Sequence, residues 1–354
     1  MIKILTYHEI DIQQWQALID RSPYATWFQT KEAYEFYAAN PDEMMPFVLG
    51  VEEDGHLAGV IVGYTTQEKC IFKQYFTART IIPGGPLLAN CISETALAAL
   101  LKAVKAMGNG QWAIGEENNR QSSIANRPIY IESRNFHDYS KWKSIFETNG
   151  FAYQPHLNYH VDTTSLKLAQ SRIGKHRWRY IRLSMRDGAK IVDNPTIEQV
   201  RAFYTILQDL YRTKVRTPLW SWEFFERLYH TESARYILVE LDGQIVGGTA
   251  CVCLPGKTVY EWYACGLDDC RDDIRPLSVA IWGEMQLAAE NGYPLFDFMG
   301  AGTPDQPYGV RDFKSEFGGE LVEHGRFLCV RKPLLYWIGK MGVKWLKRRI
   351  NKQQ

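Results

Sequence analysis

The sequence predicts a mixed α/β protein built from two tandem copies of one module. Its 354 residues suit two domains of ordinary size. Residues 54–59 (DGHLAG) match residues 242–247 (DGQIVG), and an Asp-Gly pair between β-rich runs favours a tight hairpin. Both segments follow two helical patterns and precede a strand, a helix and a strand. A repeat that keeps this order predicts a duplicated fold whose sheets are largely antiparallel.

The first copy opens with two helices, and the first of them carries Trp15, Leu18 and Ile19 on one face. Thr30 precedes the second helix and has the hydroxyl expected of an N-cap. The remaining elements are a hairpin, a third strand, a Pro-Gly-Gly-Pro break, an Ala/Leu-rich helix and an apolar strand. In order, the predicted ranges are 11–20, 31–39, 46–63, 69–76, 83–86, 93–107 and 129–132.

The second copy contains two helices, a hairpin around Asp242-Gly243, a third strand, an amphipathic helix and a final strand. Its predicted ranges are 196–214, 221–230, 236–252, 257–264, 276–291 and 295–299. Cys251 and Cys253 alternate along the hairpin, so we expect both to point into one core as reduced thiols.

Charge and hydropathy exclude several classes of protein. With 41 basic and 40 acidic side chains the net charge is +1, whereas a dedicated DNA-binding protein is usually far more basic. The N-terminus lacks a basic-then-apolar signal pattern, and no apolar run is long enough to span a bilayer. No Cys or His spacing indicates a metal site. We therefore expect a cytoplasmic protein that does not bind DNA.

Five short motifs occur along the chain: FQT at 28–30, IPGGP at 82–86, the stretch from 150 to 159, FDFMGA at 296–301 and FKSEFGG at 313–319. They resemble motifs of the FemABX family, a tandem form of the GNAT acyltransferase fold. The two nearest the C-terminus are the most specific, and their spacing also agrees. The resemblance implies two tandem GNAT-like domains. We expect residues 1–160, completed by 322–354, to form the first and 161–321 the second.

The resemblance also implies an activity. FemABX enzymes transfer an amino acid from aminoacyl-tRNA to the peptide stem of a cell-wall precursor, which forms an amide on an amine acceptor. Related tandem-GNAT proteins use acyl-CoA, so the implied donor is aminoacyl-tRNA or acyl-CoA, with no tightly bound cofactor. Where the bridge enzymes have a Trp and a phosphate-binding Lys, this sequence has Ala33 and Tyr37. The helical hairpin that some members use to handle tRNA is also missing.

Lys314, in the FKSEFGG motif, is the first candidate for catalysis by this resemblance. Attack of an amine on an ester or thioester builds negative charge on the carbonyl oxygen, which a fixed cation stabilises. A surface lysine on an exposed turn is the alternative interpretation. Asp297, inside an apolar strand, is the second candidate. It either takes a proton from the attacking amine, or has a structural role as an ion-pair partner or as a cap for the turn that follows.

Four further residues are candidates for binding the substrate or the donor: Phe313 beside the lysine, Gly300 and Ala301 after the strand, and Tyr263 in the third strand of the second copy. Small residues let backbone N–H groups approach a phosphate or a carbonyl, although a tight turn alone explains a Gly-x-Gly. Residues 271–280 (RDDIRPLSVA) lack the glycine-rich loop that acyl-CoA enzymes of the GNAT fold usually carry, which favours another donor.

Residues 165–186 predict a helix with five cations on one face and no acidic residue among them. Trp178, Ile181 and Met185 form an apolar stripe beside that face. The cations fit the phosphates of tRNA, a nucleotide diphosphate or CoA, whereas a solvated face is the plainer alternative. The five cations are Arg172, Lys175, Arg179, Arg182 and Arg186.

The segment 331–354 holds eight basic residues and no acidic residue. Leu334, Ile338, Met341 and Trp345 recur at helical spacing, which indicates a basic amphipathic helix. One interpretation is peripheral contact with the inner face of the membrane through residues 333–350. The other is a helix that packs onto the first domain and leaves a solvated basic face.

These observations lead to three hypotheses about function. The first is an aminoacyl-tRNA-dependent transferase that acts on a cell-wall peptide amine. The second is an acyl-CoA-dependent N-acyltransferase that acts on a small-molecule or sugar amine. The third is a non-catalytic binding protein that keeps the same fold.

Overall fold

The computed structural model of the protein describes residues 1–66, 75–107, 128–267 and 270–350, with the side chains of all of these except 343–350. The chain divides into two compact units. Unit 1 consists of Met1–Gln154 together with His324–Gln354, and unit 2 consists of Pro155–Glu323. Each unit holds one mixed β-sheet with helices packed against it, which confirms the predicted α/β class.

The strands are β1 Ile2–Thr6, β2 Met44–Glu53, β3 His56–Thr66, β4 Thr80–Gly84, β5 Leu87–Leu88, β6 Tyr130–Asn135, β7 Ala152–Gln154, β8 Leu157–Asp162, β9 Lys190–Val192, β10 Ala234–Leu241, β11 Gln244–Leu254, β12 Thr258–Gly266, β13 Leu295–Asp297, β14 Glu320–Glu323 and β15 Arg326–Val330. The α-helices are α1 Ile12–Arg21, α2 Lys31–Ala38, α3 Glu94–Met107, α4 Lys143–Thr148, α5 Leu166–Arg172, α6 Lys175–Arg186, α7 Ile197–Leu210, α8 Trp222–Tyr229, α9 Pro276–Glu290, α10 Gly309–Ser315 and α11 Pro333–Ile350.

The two sheets share one plan. Unit 1 has the order β1-β2-β3-β4-β6-β15-β7, with the short β5 paired to β3, and unit 2 has the order β14-β8-β13-β12-β11-β10-β9. One neighbouring pair in each sheet is parallel, β4 with β6 and β12 with β13. The other pairs among the strands given above are antiparallel.

The matched hairpins have the same backbone geometry. Asp54 and Asp242 both adopt a positive φ of 51°, and each is followed by a glycine whose φ is also positive. This is the pattern that a two-residue turn between strands requires. Each hairpin also has a register shift just after the turn, between β2 and β3 and between β10 and β11. The duplication predicted from sequence therefore extends to the bulge beside the turn.

In unit 1, the FQT and IPGGP motifs pack against each other. The buried Gln29 amide accepts a hydrogen bond from the Thr26 backbone at 2.8 Å and donates to the Gly85 carbonyl at 2.9 Å. Gly84 has a φ of 77°, and a Cβ there would lie 2.3 Å from Thr26 Oγ1. Only glycine fits this position. Thr30 caps α2 through its side chain, as predicted.

In unit 2, Cys251 and Cys253 are both buried in one hydrophobic core, as predicted. Helix α9 departs from the predicted amphipathic pattern, because most of its residues are buried, including Glu284. The reason is tertiary: α9 packs on the strands of the sheet and also against α6.

Three predicted elements differ from the structure. Most of the predicted strand at 69–76 lies outside the described residues, and its described end, Tyr75 and Phe76, is helical. The predicted break at 83–86 overlaps β4, because Pro83 stands in register with Arg134 of the neighbouring strand. The single basic helix over 165–186 is two helices.

The division between α5 and α6 has a local cause. Ile173 is extended and buried, and the Gly174 N–H donates to the Glu316 carbonyl at 2.8 Å. Arg172 therefore ends α5 and does not share a helix face with the other four cations. Met185, expected in the apolar stripe, is 40% exposed, and Ser184 takes the buried position beside it.

Candidate active site

Strands β12 and β13 separate in the middle of the unit 2 sheet. They pair in parallel from Thr258 to Tyr260, and then β13 ends while β12 continues to Gly266. On the other edge of β12, the register with β11 shifts between Glu261 and Tyr263, which leaves Trp262 as the extra residue of a β-bulge. Bulges re-aim side chains and are frequent next to active sites. The gap and the bulge fall at the same point of the strand.

Lys314, on α10, reaches this point. Its Nζ donates to the backbone carbonyls of Phe298 at 2.6 Å and Gly300 at 3.1 Å. The same atom lies 3.3 Å from Oε1 of Glu261, and the Lys314 side chain is 12% exposed. An ammonium group has three N–H donors, so these three acceptors match its capacity. The cation is held in a fixed position at the strand gap.

Glu261 is a candidate site residue that the sequence analysis did not identify. Its side chain is 4% exposed, and its Oε2 has no hydrogen-bond partner among the residues described. Burial raises the pKa of this carboxyl, and the neighbouring Lys314 offsets only part of that rise. A carboxylate flanked by Tyr260 and Trp262 in a β-rich run was the signal that could have identified it, because a buried charge needs a partner.

Asp297, at the end of β13, belongs to a separate polar network. Its carboxylate accepts hydrogen bonds from Asn158 Nδ2 at 2.7 Å and from the Met299 N–H at 2.5 Å, and it lies 3.1 Å from His160 Nε2. Burial alone would raise the pKa of Asp297, but His160 and the hydrogen bonds lower it overall. Burial alone would lower the pKa of His160, but the facing Asp297 carboxylate raises it overall.

This network fixes the turn that carries the lysine's acceptors. Met299 has a positive φ of 56°, which is uncommon for a residue with a side chain, and the Asp297 carboxylate bonds its N–H. The Gly300 N–H donates to Asn158 Oδ1 at 2.8 Å, and the Ala301 N–H donates to the Leu157 carbonyl at 2.7 Å. The N–H groups of Gly300 and Ala301 are therefore engaged within unit 2.

The remaining aromatic candidates, Phe313 and Tyr263, pack beside the site. Phe313 packs on the core of unit 2, and the guanidinium of Arg177 lies 4.4 Å from its ring centroid. Tyr263 is buried, with its ring 4.9 Å from that of Phe225. Both side chains are therefore engaged in packing contacts within unit 2.

Arg177 ties three helices of unit 2 together. It lies on α6, but its side chain turns inward and is only 13% exposed. Its Nε pairs with Glu316 at 3.1 Å, and its guanidinium donates to Ser278 of α9 at 2.8 Å. Because Glu316 directly follows α10, Arg177 fixes the helix that carries Lys314. Helical spacing places Arg177 off the face of the predicted cations, but no sequence pattern indicated its contacts with Ser278 and Glu316.

The other cations of α6 face solvent. Lys175, Arg179, Arg182 and Arg186 are exposed and recur at helical spacing, so they share one face. Arg186 pairs with Asp187 at 2.7 Å. Arg172, at the end of α5, is exposed and lies 3.5 Å from Asp162.

A cavity of about 540 Å³ lies beside the end of α7. There the α-helix continues as a π-helical turn, Tyr211–Val215, and Arg216 then adopts a left-handed conformation with φ 56°. Such π turns are frequent at functional sites. The cavity is lined by Tyr204, Thr205, Gln208, Asp209, Tyr211, Arg212, Thr217 and Leu219.

The two positions where the bridge enzymes have Trp and Lys lie in the core of unit 1. Ala33 and Tyr37 are both fully buried on α2. Burial raises the pKa of Tyr37 well above its ordinary value. Neither side chain reaches the surface, so neither contacts a phosphate group.

Comparison with known proteins agrees with this architecture. Residues 175–315 match the sequence model of a family described as the acetyltransferase (GNAT) domain. The crystal structure of FemX has a TM-score of 0.68 at 15% identity, over 95% of this chain and 99% of FemX. No curated protein sequence matches.

Two further solved structures share the fold. The C-terminal domain of a putative lysylphosphatidylglycerol synthetase from Agrobacterium fabrum has a TM-score of 0.56 at 12% identity, over 94% of this chain and 96% of that one. A tandem GNAT protein from the clavulanic acid biosynthesis pathway has a TM-score of 0.52 at 8% identity, over 93% and 98%. Together these likenesses confirm the tandem GNAT-like fold predicted from the motifs.

Proposed function

We propose that this chain, an acyl- or aminoacyl-transferase of the FemABX-like tandem GNAT kind, moves an aminoacyl group from aminoacyl-tRNA to an amine of a peptidoglycan-precursor peptide. The observation that carries the proposal is the Lys314–Glu261 pair at the gap between β12 and β13. It provides a fixed cation for an oxyanion and a carboxylate that can accept a proton.

The chemistry follows from the three acceptors of Lys314. The amine nitrogen attacks the ester carbonyl, and negative charge passes to the carbonyl oxygen. Glu261 takes a proton from the nitrogen and becomes neutral, so the Lys314 N–H that it held turns to the oxyanion. The C–O bond to the tRNA ribose then breaks, and the proton passes from Glu261 to the leaving oxygen. The raised pKa of Glu261 supports this role, because it brings the carboxyl nearer to working pH.

Asp297 takes the positioning role in this proposal. Its carboxylate is occupied by Asn158, His160 and the Met299 N–H, and its pKa is lowered, which makes it a weak base. It holds the turn whose carbonyls, from Phe298 and Gly300, bind Lys314.

The exposed cations of α6 support a polyanionic donor. Lys175, Arg179 and Arg182 lie on one helix face with few acidic neighbours to pair with them, as expected of a surface that meets tRNA phosphates. The absence of the glycine-rich loop from residues 271–280 favours this donor over acyl-CoA. The cavity beside α7, with tyrosines and polar side chains, is the proposed recess for the acceptor. The proposed place of action is the cytoplasm, at the inner face of the membrane.

Mass spectrometry of the purified protein with charged tRNA and muropeptide acceptors tests the proposal. We expect a mass increase of one amino-acid residue on the acceptor amine, and a loss of at least about 100-fold in kcat for Lys314→Ala. Lys190→Ala, a change to another exposed lysine of unit 2, is the control and should keep full activity. Product formation with acyl-CoA alone would replace the proposed donor, and full activity of Lys314→Ala would remove the proposed centre.

The proposed tRNA-binding surface on α6 is tested by a separate measurement. Arg179→Glu with Arg182→Glu should abolish a salt-sensitive tRNA gel shift, because each reversed charge removes a phosphate contact. Lys190→Glu should leave that shift intact. A shift of equal strength in both proteins would contradict the assignment of α6 to tRNA.

A further inference from the structure

An apolar face of α11 is exposed to solvent between Leu334 and Met341. Leu334, Trp337, Ile338 and Met341 are 70%, 60%, 51% and 51% exposed. Their spacing of three, one and three residues places them on one side of the helix. Four large apolar side chains in one continuous stripe are unusual on a water-exposed surface.

The opposite side of the helix is attached to unit 1. The Tyr336 ring packs edge-to-face on Tyr130 of β6, with 5.6 Å between ring centroids. Just before the helix, Lys332 Nζ lies 4.1 Å from the ring centroid of Tyr75 and 3.5 Å from its carbonyl oxygen. The helix is therefore docked on unit 1 by one face. Leu334, Ile338 and Met341 of the predicted stripe are exposed, and the side chain of Trp345 lies outside those that the structure describes.

The bare stripe lies within a strongly cationic segment. Residues 331–354 contribute +8 to a chain whose net charge is +1, so the remaining residues sum to −7. Among the helices of the described residues, none combines the length and apolar character that crossing a bilayer requires. An amphipathic helix with an apolar stripe and flanking Lys and Arg is suited to lie in the plane of a membrane interface.

We propose that α11 docks the protein on an anionic phospholipid surface, with Leu334, Trp337, Ile338 and Met341 entering the headgroup–acyl boundary. The positive charge of the segment distinguishes among the binding partners that could cover this apolar face. A second copy would bring two segments of +8 together, which disfavours self-association. A nucleic acid would neutralise the cations but leave the apolar stripe in water. An anionic bilayer satisfies both features at once.

Co-sedimentation of the full chain with vesicles tests this inference. We expect binding to phosphatidylcholine vesicles that contain about 30% phosphatidylglycerol, and little binding to phosphatidylcholine alone. Trp337→Ser with Ile338→Ser should weaken the partition coefficient at least about tenfold. The matched control is Ile12→Ser, which removes an exposed isoleucine of α1 and should bind normally.

The cationic part is tested separately. Lys340→Gln with Lys344→Gln should lower the partition coefficient about 30-fold, whereas Lys102→Gln with Lys167→Gln, two lysines of other helices, should not. Binding should also weaken steeply between about 0.1 M and about 0.5 M salt. Circular dichroism of each variant checks that the fold is retained.

Several outcomes would overturn the inference: equal binding to both kinds of vesicle, no binding to the anionic vesicles, or α11 variants that lose tRNA affinity and keep vesicle affinity. Transfer to a soluble muropeptide should be unchanged in the α11 variants. The membrane inference and the proposed function can therefore fail independently.

Discussion

At the residue scale, unit 2 is distinguished by carboxyl groups buried in its interior. Glu261 has Lys314 as a partner, and Asp297 has Asn158 and His160. Glu284 differs, because its buried carboxyl lies beside Thr249, Cys251 and Glu261, and no cationic side chain forms a salt bridge with it in the part of the chain that the structure describes. Burial and the nearby Glu261 raise the pKa of Glu284 well above its ordinary value. Burial therefore favours the neutral form of this acid.

The raised pKa of Glu284 predicts a pH-dependent stability. Between 4.5 and the folded-state pKa, the unfolded chain has released this proton while the folded chain keeps it, so the free energy of unfolding falls as pH rises. Glu284→Gln keeps a neutral side chain and should flatten that decline. Urea denaturation at several pH values above 4.5 measures it. Glu290→Gln, at the exposed end of the same helix, should keep the wild-type slope.

At the scale of elements, α6 serves two purposes. One side presents Lys175, Arg179 and Arg182 to solvent, and the other turns Arg177 inward to Ser278 and Glu316. The proposed donor surface is thereby joined through α6 to the helix that carries Lys314. A change at Arg177 is expected to act on catalysis through position, since it bonds the residue after α10 and not the reacting atoms.

Arg177→Met tests this connection. The variant keeps the side-chain length but loses the charged hydrogen bonds, so the free energy of unfolding should fall by about 1–3 kcal/mol. With α10 less well held, kcat should fall while KM for the donor changes little. Arg177→Lys should recover part of kcat, because it keeps the charge without the planar geometry. Arg186→Met, an exposed change on the same helix, should leave stability near the wild-type value; an equal loss there would contradict the assignment.

At the scale of the whole molecule, the chain returns to unit 1 after it completes unit 2. Strand β15 lies between β6 and β7 in the first sheet, and the Phe327 ring stacks on Phe146 with 3.9 Å between centroids. Phe327 is also 1% exposed. Unit 1 therefore depends on β15, which lies nearly two hundred positions after its partner strand β6 in the chain. This long separation raises the chain-entropy cost of forming the first sheet.

Phe327→Ala measures that dependence. Removing a fully buried aromatic ring should lower the free energy of unfolding by about 3–5 kcal/mol, because a cavity remains in the core of unit 1. Leu321→Ala in β14, where the side chain is 47% exposed, is the control and should cost far less. Thermal denaturation of both variants checks the difference. Similar losses in the two would show that β15 is not needed to complete the first core.

Much of the fold could be predicted from local signals. The Asp-Gly turns, the Thr30 cap and the alternation of Cys251 and Cys253 each depend on residues close in sequence, and each is present in the structure. The motif with Lys314 is equally local. Glu261 and Arg177 were not predicted as site residues, because their roles arise from contacts with α10 and the residue after it, far away in the chain.

The sequence by itself determined the duplicated α/β architecture, the cationic stretches and the position of Lys314, since periodicity, turn chemistry and motif spacing are local properties of the chain. Only the tertiary structure decided which charges are enclosed and which face solvent. It turned Arg177 inward, enclosed Glu284 in the core of unit 2 and exposed the apolar stripe of α11. Burial and pairing depend on elements that meet through folding, and these contacts set the free-energy cost of each charge.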